Sequence, residues 1–293
     1  MSGIKAHTIR IWEQRYGLIE PKRTPTNIRY YTDEDLKFVL NIALLNKNGL
    51  RISQIAKMSK EQIAMRVETV SRDSSENSTQ LQAMTMAMME LDGQQLEHIL
   101  VQQTQAQGLE NCLLELVVPF LEKLSLLWIT GAIGNVHEQF VHNIVRRKLL
   151  SAIDQINATQ PPAADAPVCM LYMMEGEEME LILLLAKYFM RRRGIRTVYL
   201  GMRIGLQDLA IAQQVHKPDM VFSSISETHP KLSLPQYVEQ LAALFGEQTQ
   251  LLLTGYKVVS ANHLPDVENL RILDDFWELV EFLDRIVAAK QQA

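Results

Sequence analysis

Val168-Cys169-Met170-Leu171-Tyr172-Met173-Met174 is an unbroken apolar run, and Glu175-Gly176 closes it. A short apolar run bounded by turn residues is the mark of a strand buried on both faces. The next stretch, Glu177–Arg193, carries its apolar residues at helical steps, and Thr197–Leu200 is a second short apolar run ending at Gly201. The alternation continues to the C-terminus. Leu206–Val215 reads as a helix, Met220–Ile225 as a strand, and Leu234–Phe245 as a helix. Leu251–Leu253 reads as a strand before Gly255, Leu270–Leu273 as a last strand, and Phe276–Ala289 as a closing helix. Five strands, four of them followed by helices, predict a parallel sheet covered on both faces. The length of residues 168–293 suits a flavodoxin-like doubly wound α/β domain.

Upstream, residues 159–167 hold three prolines and three alanines, a linker that neither helix nor strand would continue through. Residues 81–158 contain no proline except Pro119 and no strand-like alternation. Leu113, Leu116, Val117, Phe120, Leu121, Leu124 and Trp128 fall on one helical stripe. Phe140, Ile144, Val145, Leu149, Ala152, Ile153 and Ile156 fall on another, with Gly131 and Gly134 between the two. With weaker stripes around 81–91 and 94–107, the segment predicts a four-helix bundle. Arg72–Gln80 has no apolar residue and reads as a solvated linker over 71–80, which leaves residues 1–70 as a separate head.

A chain of 293 residues suggests more than one core. Its 47% apolar and 22% charged residues exclude a mainly disordered chain. Apolar runs such as Leu181–Ala186 are far short of the roughly 18 residues of a membrane helix. No basic-then-apolar leader is visible, and Cys112 and Cys169 make no disulfide framework, so a reduced cytoplasmic compartment is expected. The net charge of −5 conceals an asymmetry: residues 1–60 hold 11 basic and 5 acidic residues, the remainder 18 and 29. A basic head on an acidic body points to an anionic partner for the head, with nucleic acid ahead of a membrane surface.

The head carries Thr8-Ile9-Arg10-Ile11-Trp12-Glu13, then Tyr16-Gly17-Leu18-Ile19-Glu20-Pro21, then a basic loop closing on Ile28-Arg29-Tyr30-Tyr31. This ordered set resembles the MerR family of winged helix-turn-helix transcription regulators. Thr32-Asp33-Glu34-Asp35-Leu36 looks like the N-cap and acidic first turn of the family's next helix. The resemblance implies a DNA-binding set of His7, Thr8, Arg10, Arg15, Lys22, Arg23, Arg29, Tyr30 and Tyr31. The chemistry agrees. His7, Thr8 and Arg10 near a helix N-terminus suit base edges and phosphates in a major groove. The Lys22–Arg29 loop has three cations and one proline, Pro25, with Pro21 just before it, a stiff arm for a phosphate backbone. Tyr30 and Tyr31 either add hydroxyl contacts or pack, whereas Trp12 reads as core. Family members have about a dozen further residues before Gly3, forming the first helix of the motif. The expectation is therefore a start upstream of Met1.

Residues 81–293 resemble, more loosely, the cobalamin-binding module of light-sensing MerR regulators. In that module a tryptophan is followed after nine residues by Glu-His. Here Trp128 is followed by Glu138-Gln139, so the glutamate matches and the histidine does not. Where the module has acidic-x-His, this chain has Glu177-Glu178-Met179, with a thioether in place of the cobalt-ligating imidazole. Ser224-Ile225-Ser226 keeps part of a serine pattern, and Thr254-Gly255 one of two glycines. The resemblance implies a ligand pocket of Trp128, Glu138, Glu177, Met179, Ser224, Ser226 and Gly255. Trp128 and Glu138 read equally well as a bundle core residue and a capping acid. The retained fold with a missing ligand predicts that no cofactor is held, with cobalamin implied by fold resemblance alone.

No catalytic constellation or metal-like spacing stands out. Met84, Met86, Met88 and Met89 read as adaptable core, and Arg191–Arg193 as favourable charge at a helix C-terminus. The expected protein is a non-enzymatic, oligomeric regulator that binds double-stranded promoter DNA and receives a small-molecule or protein signal at its C-terminal module. Two alternatives follow from the resemblance: a cobalamin-dependent light-sensing repressor, and a corrinoid-carrying methyltransferase subunit.

Overall fold

The computed structural model describes residues 12–13, 16–18, 22–23, 29–32, 35, 38–39, 41–42, 45, 50, 52–73, 79–261 and 263–291. It divides into two compact units, Met1–Val141 and His142–Ala293.

In the first unit, strands β1 (Lys22–Arg23) and β2 (Arg29–Tyr30) pair antiparallel, with Lys22 opposite Tyr30 and Arg23 opposite Arg29. Helices α1 (Ile52–Ile55) and α2 (Lys60–Asp73) follow. Trp12, Val39, Ile42, Leu45, Ile55, Ile63 and Val67 form one buried cluster, so Trp12 is core. Because α2 continues to Asp73, the polar stretch expected as linker begins inside a helix.

Helix α3 (Thr79–Met89) buries Met84 and Met88, while Met86 on the other face is 60% exposed. Helix α4 (Gly93–Gln107) starts on Asp92, whose carboxylate accepts from the Gln95 N–H at 2.9 Å. The stripe expected to run from Leu113 to Trp128 is broken into α5 (Leu109–Cys112), a π-turn over Leu113–Val117 and α6 (Val118–Ile129). The N–H of Val118 reaches the Leu113 carbonyl, five residues back. Pro119 has no N–H to close the next α-turn, and the ladder widens ahead of it. Leu113, Leu116, Val117, Phe120, Leu121 and Leu124 are buried, but Trp128 is 46% exposed. Helix α7 (Asn135–Thr159) contains the division between the units.

The second unit is a five-stranded parallel sheet. Its strands are β3 (Val168–Tyr172), β4 (Arg196–Gly201), β5 (Met220–Ser224), β6 (Gln250–Thr254) and β7 (Leu270–Ile272). They lie in the order β4-β3-β5-β6-β7. Helices α8 (Glu180–Arg192), α9 (Leu206–His216), α10 (Leu234–Phe245), α11 (Tyr256–Val259) and α12 (Phe276–Gln291) alternate with them. This is the flavodoxin-like doubly wound topology. Every residue of β3 and β5 is buried, which is why their sequences read as uninterrupted apolar runs. The chain leaves β3 for β4 on one side and then crosses to β5 on the other. The connections therefore diverge at the C-terminal ends of β3 and β5, where doubly wound sheets receive ligands.

Side chains tie the second half of α7 to α8 and β4. Arg146 donates to Glu180 at 2.7 Å, and the Tyr199 hydroxyl donates to the same carboxylate at 3.1 Å. Arg191 is only 4% exposed. Its guanidinium donates to Asn157 Oδ1 at 2.8 Å and to the carbonyls of Ile195 at 3.0 Å and Gln160 at 3.5 Å. A buried guanidinium is tolerated only when its donors are satisfied, so Arg191 is a structural clamp. The helix-dipole reading of Arg191–Arg193 misses this. Arg193 in turn holds Asp284 of α12 at 2.6 Å.

Candidate functional site

Two regions carry side chains suited to binding. The first is the head. Lys22 is exposed on β1, and Tyr31, just past β2, is 37% exposed. Behind them a reciprocal cap starts the next helix. Asp35 accepts from the Thr32 N–H at 2.8 Å and the Thr32 hydroxyl at 2.7 Å, and its own N–H donates to Thr32 Oγ1 at 3.3 Å. These hydrogen bonds hold the Asp35 carboxyl below its ordinary value, with smaller help from Lys22 and Lys60. His7, Thr8, Arg10 and Arg15 lie outside the described residues, as do the side chains of Arg23, Arg29 and Tyr30.

The second region is the C-terminal rim of the α/β sheet. Glu177 is 2% exposed. Its Oε1 accepts from the backbone N–H groups of Ser226 at 2.6 Å and Glu227 at 2.8 Å. Burial pushes its pKa up, and the two N–H groups pull it part of the way back. The helix expected from Glu177 therefore starts later, at Glu180, because Glu177 is engaged in bracing the loop after β5. Met179 stands half-buried just before α8, at φ −89° and ψ 68°.

Gly255 has φ +101°, and a Cβ there would lie 2.6 Å from the Ile225 carbonyl oxygen. Only glycine permits this approach, which lets Ile225 bond Thr254 at 2.7 Å and lets the Ser226 hydroxyl accept from the Tyr256 N–H at 3.3 Å. Ser224 is buried at the end of β5.

Beside these loops lies a cleft of about 180 Å³. Met174, Ile225 and Leu234 supply apolar lining, Tyr237 and His229 aromatic lining, and Glu227 and Lys257 charge. The Tyr237 hydroxyl pairs with that of Tyr172 at 2.8 Å in a buried contact. Burial pushes the Tyr237 phenol up to about 12; the Tyr172 bond opposes this, and the fields of Glu177 and Glu175 add to it. His229 Nδ1 accepts from the N–H groups of Lys231 and Leu232, both at 3.1 Å.

The MerR HTH family regulatory protein profile matches residues 1–62. The head is a MerR-type domain. Two curated relatives extend the likeness beyond the MerR-type head. The HTH-type transcriptional repressor CarH of Myxococcus xanthus is 28% identical over 227 residues, 75% of this chain and 74% of CarH. The HTH-type transcriptional repressor CarA of the same organism is 25% identical over 223 residues, 75% of this chain and 72% of CarA. Among solved structures, the monomethylamine corrinoid protein of Methanosarcina barkeri matches with a TM-score of 0.54. That match covers 68% of this chain and 94% of the other at 9% identity, a likeness of fold. The chain is thus a relative of MerR-type transcription regulators.

Of the pocket residues expected from sequence, the structure gathers Glu177, Met179, Ser224, Ser226 and Gly255 at the rim of the sheet, and Glu177 touches the Ser226 backbone directly. Trp128 and the half-buried Glu138 belong to the first unit. The cleft itself is lined by side chains that sequence reasoning passed over. Tyr237 sits one turn into α10, whose Ser233–Gln236 capping box is legible, so the start of that helix was a findable signal. His229 follows no spacing rule.

The residue set does not fit a corrinoid held through a histidine. The Met173–Met179 segment contains no imidazole. The Glu177 carboxylate, which the resemblance would have orient one, accepts two backbone N–H groups on its Oε1 instead. Among the described residues no group of His, Cys, Asp or Glu is placed to hold a metal ion, and no helix is long and apolar enough to cross a membrane.

Proposed function

We propose that this protein is a DNA-binding transcription regulator whose MerR-type head grips promoter DNA and whose α/β unit receives the signal that sets that grip. The match of residues 1–62 carries the reading. The charge asymmetry supports it: a head with 11 basic and 5 acidic residues is attracted to phosphate while the acidic remainder is not. The protein works in the cytoplasm as a homo-oligomer, because two half-sites multiply the specificity of one helix-turn-helix. It catalyses no reaction. Its signal is a small molecule or protein partner other than cobalamin; Met179 in the ligand position and the engagement of Glu177 support this.

Promoter binding follows electrophoretic mobility on the DNA upstream of the coding sequence. Arg10→Ala and Arg29→Ala should each weaken the complex, and Arg29→Ala should also lower the salt slope by about 0.9. Unchanged affinity in both variants would refute the head assignment. Mixing the protein with adenosylcobalamin in the dark should leave it colourless after desalting. A stable red complex would establish the cobalamin-dependent repressor instead, the reading favoured by the likeness of fold to a corrinoid protein.

A further inference from the structure

The cleft at the rim of the α/β sheet holds two opposite charges over an aliphatic floor. Met174, Ile225 and Leu234 make the floor. Tyr237 is 1% exposed, so its ring closes the back of the cleft and offers a ligand no open face. Glu227, exposed, and Lys257, half-buried, are the carboxylate and the ammonium of the lining. They come from different loops, the first after β5 and the second after β6. Among the described residues the two form no ion pair, and neither is paired with a third side chain. The backbones that carry them are nevertheless tied together. The Lys257 N–H donates to the Ile225 carbonyl at 3.1 Å, the Tyr256 N–H to Ser226 Oγ at 3.3 Å, and the Glu227 N–H to Glu177 Oε1 at 2.8 Å. The close approach that Gly255 permits fixes this arrangement. Two unpaired opposite charges on tethered backbones, over an apolar floor, suit a ligand that carries both signs on a hydrocarbon body.

We propose that this cleft binds a zwitterionic α-amino acid with an aliphatic side chain. Its ammonium meets Glu227, its carboxylate meets Lys257, and its side chain lies on Met174, Ile225 and Leu234. A simple cation would be repelled by Lys257 and a simple anion by Glu227, whereas the zwitterion satisfies both. This deepens the reading of the α/β unit as the signal receiver and rests on it. It also specifies how occupancy is felt. A ligand held by both charges bridges the loop after β5 to the loop after β6, and the first of these is the loop that Glu177 braces.

Leucine and two relatives that each lack one of its charges test the class: isoamylamine, without the carboxylate, and isocaproate, without the ammonium. Each is titrated into the full-length protein by calorimetry and ligand-observed NMR. Leucine should bind about two- to fivefold more tightly than either relative, the range of one solvent-screened ion pair. Lys257→Met, which keeps an apolar stem, should weaken leucine by about the same factor and leave isoamylamine no weaker. Glu227→Gln should do the same to leucine and leave isocaproate no weaker. The ligand that each variant retains shows that its cleft is still folded. Leucine binding no tighter than one of its relatives would overturn the proposal. So would a variant that weakens its one-charge relative as much as leucine, or no binding of leucine, valine or methionine up to about 10 mM. Promoter affinity measured with and without saturating leucine separates the two readings. The crossed pattern without any change in DNA affinity upholds the site and refutes the sensor role of the unit.

Discussion

Glu177 and Glu180 stand three residues apart, one before helix α8 and one at its first residue, and their surroundings give them opposite tasks. Glu177, 2% exposed, faces two backbone N–H groups of the loop after β5. Glu180 faces Arg146 and Tyr199, with His142 Nε2 at 4.0 Å. At Glu177 burial outweighs the hydrogen bonds and raises the pKa. At Glu180 burial also works upward, but the hydrogen bonds and charges of Arg146, Tyr199 and His142 outweigh it, and the pKa is lowered. One carboxylate braces the loop after β5, and the other fixes helix α7 to the sheet. The comparison teaches that residue type carries little information here; the donors that meet each oxygen decide the role.

The sharpest way to break the Glu177 side is at its neighbour Gly255. Gly255→Ala places a Cβ against the Ile225 backbone at a φ of +101°, and neither atom belongs to a flexible side chain. The expected cost is about 3 kcal/mol or more, read as a lower midpoint in chemical unfolding. Gly134→Ala, where a Cβ meets nothing within 4 Å, is the control and should stay within about 0.5 kcal/mol of wild type.

Glu177→Ala comes next. It strands the Ser226 and Glu227 N–H groups in a part-buried loop, at a cost of about 2–3 kcal/mol. Glu177→Gln keeps an acceptor oxygen and should cost less than half of that. If the two variants are equally unstable, the contact depends on the charge and not on acceptance of the two N–H groups. Faster amide exchange at Ser226 and Glu227 in the alanine variant, with unchanged exchange in β6, would localise the effect.

On the Glu180 side, Arg146→Ala should cost only about 0.5–1 kcal/mol, because the Arg146 side chain is 42% exposed and solvent screens the pair. His142 moves in the same variant. Burial holds its pKa down, the Glu180 charge opposes that, and the Arg146 charge reinforces it. Removing the guanidinium should therefore raise the His142 pKa, a shift that NMR titration of the ring reads directly.

What the sequence made legible divides along the same line. The five strands and the helices after them could be read because β3 and β5 are buried on both faces and show unbroken apolar runs. The MerR-type head could be read because Trp12, Gly17 and the Thr32–Asp35 cap are local features a few residues apart. The Glu177 contact joins residues 49 and 50 apart, and the Arg146–Glu180 contact joins residues 34 apart. No periodicity records such pairings, so Glu177 read as a pocket acid and not as the brace of the loop after β5, and Tyr237, His229 and Arg191 drew no attention as a group. Trp128 was misjudged for a different reason. It continues a stripe whose Phe120, Leu121 and Leu124 are buried, but at the last turn of α6 the tryptophan itself is 46% exposed, against its reading as a core residue.

The smallest expected effect is also the most discriminating, because the two carboxylates predict opposite signs. Glu177 has a folded-state pKa above its ordinary 4.5. It binds its proton more tightly in the folded protein, so the associated stability is full below that value and is lost as pH rises through the folded pKa. Glu180 has a folded-state pKa below 4.5. Its contribution is full above that value and is lost as pH falls through the folded pKa. Urea unfolding of wild type, Glu177→Gln and Glu180→Gln between pH 3.5 and 6 isolates each term by difference. The wild-type advantage over Glu177→Gln should shrink as pH rises above 4.5, and that over Glu180→Gln should shrink as pH falls below it. Each change is expected to be below about 1 kcal/mol, since Glu180 is part-exposed and the N–H groups offset burial at Glu177. Two slopes of the same sign would mean that Glu177 and Glu180 are held by the same kind of contact.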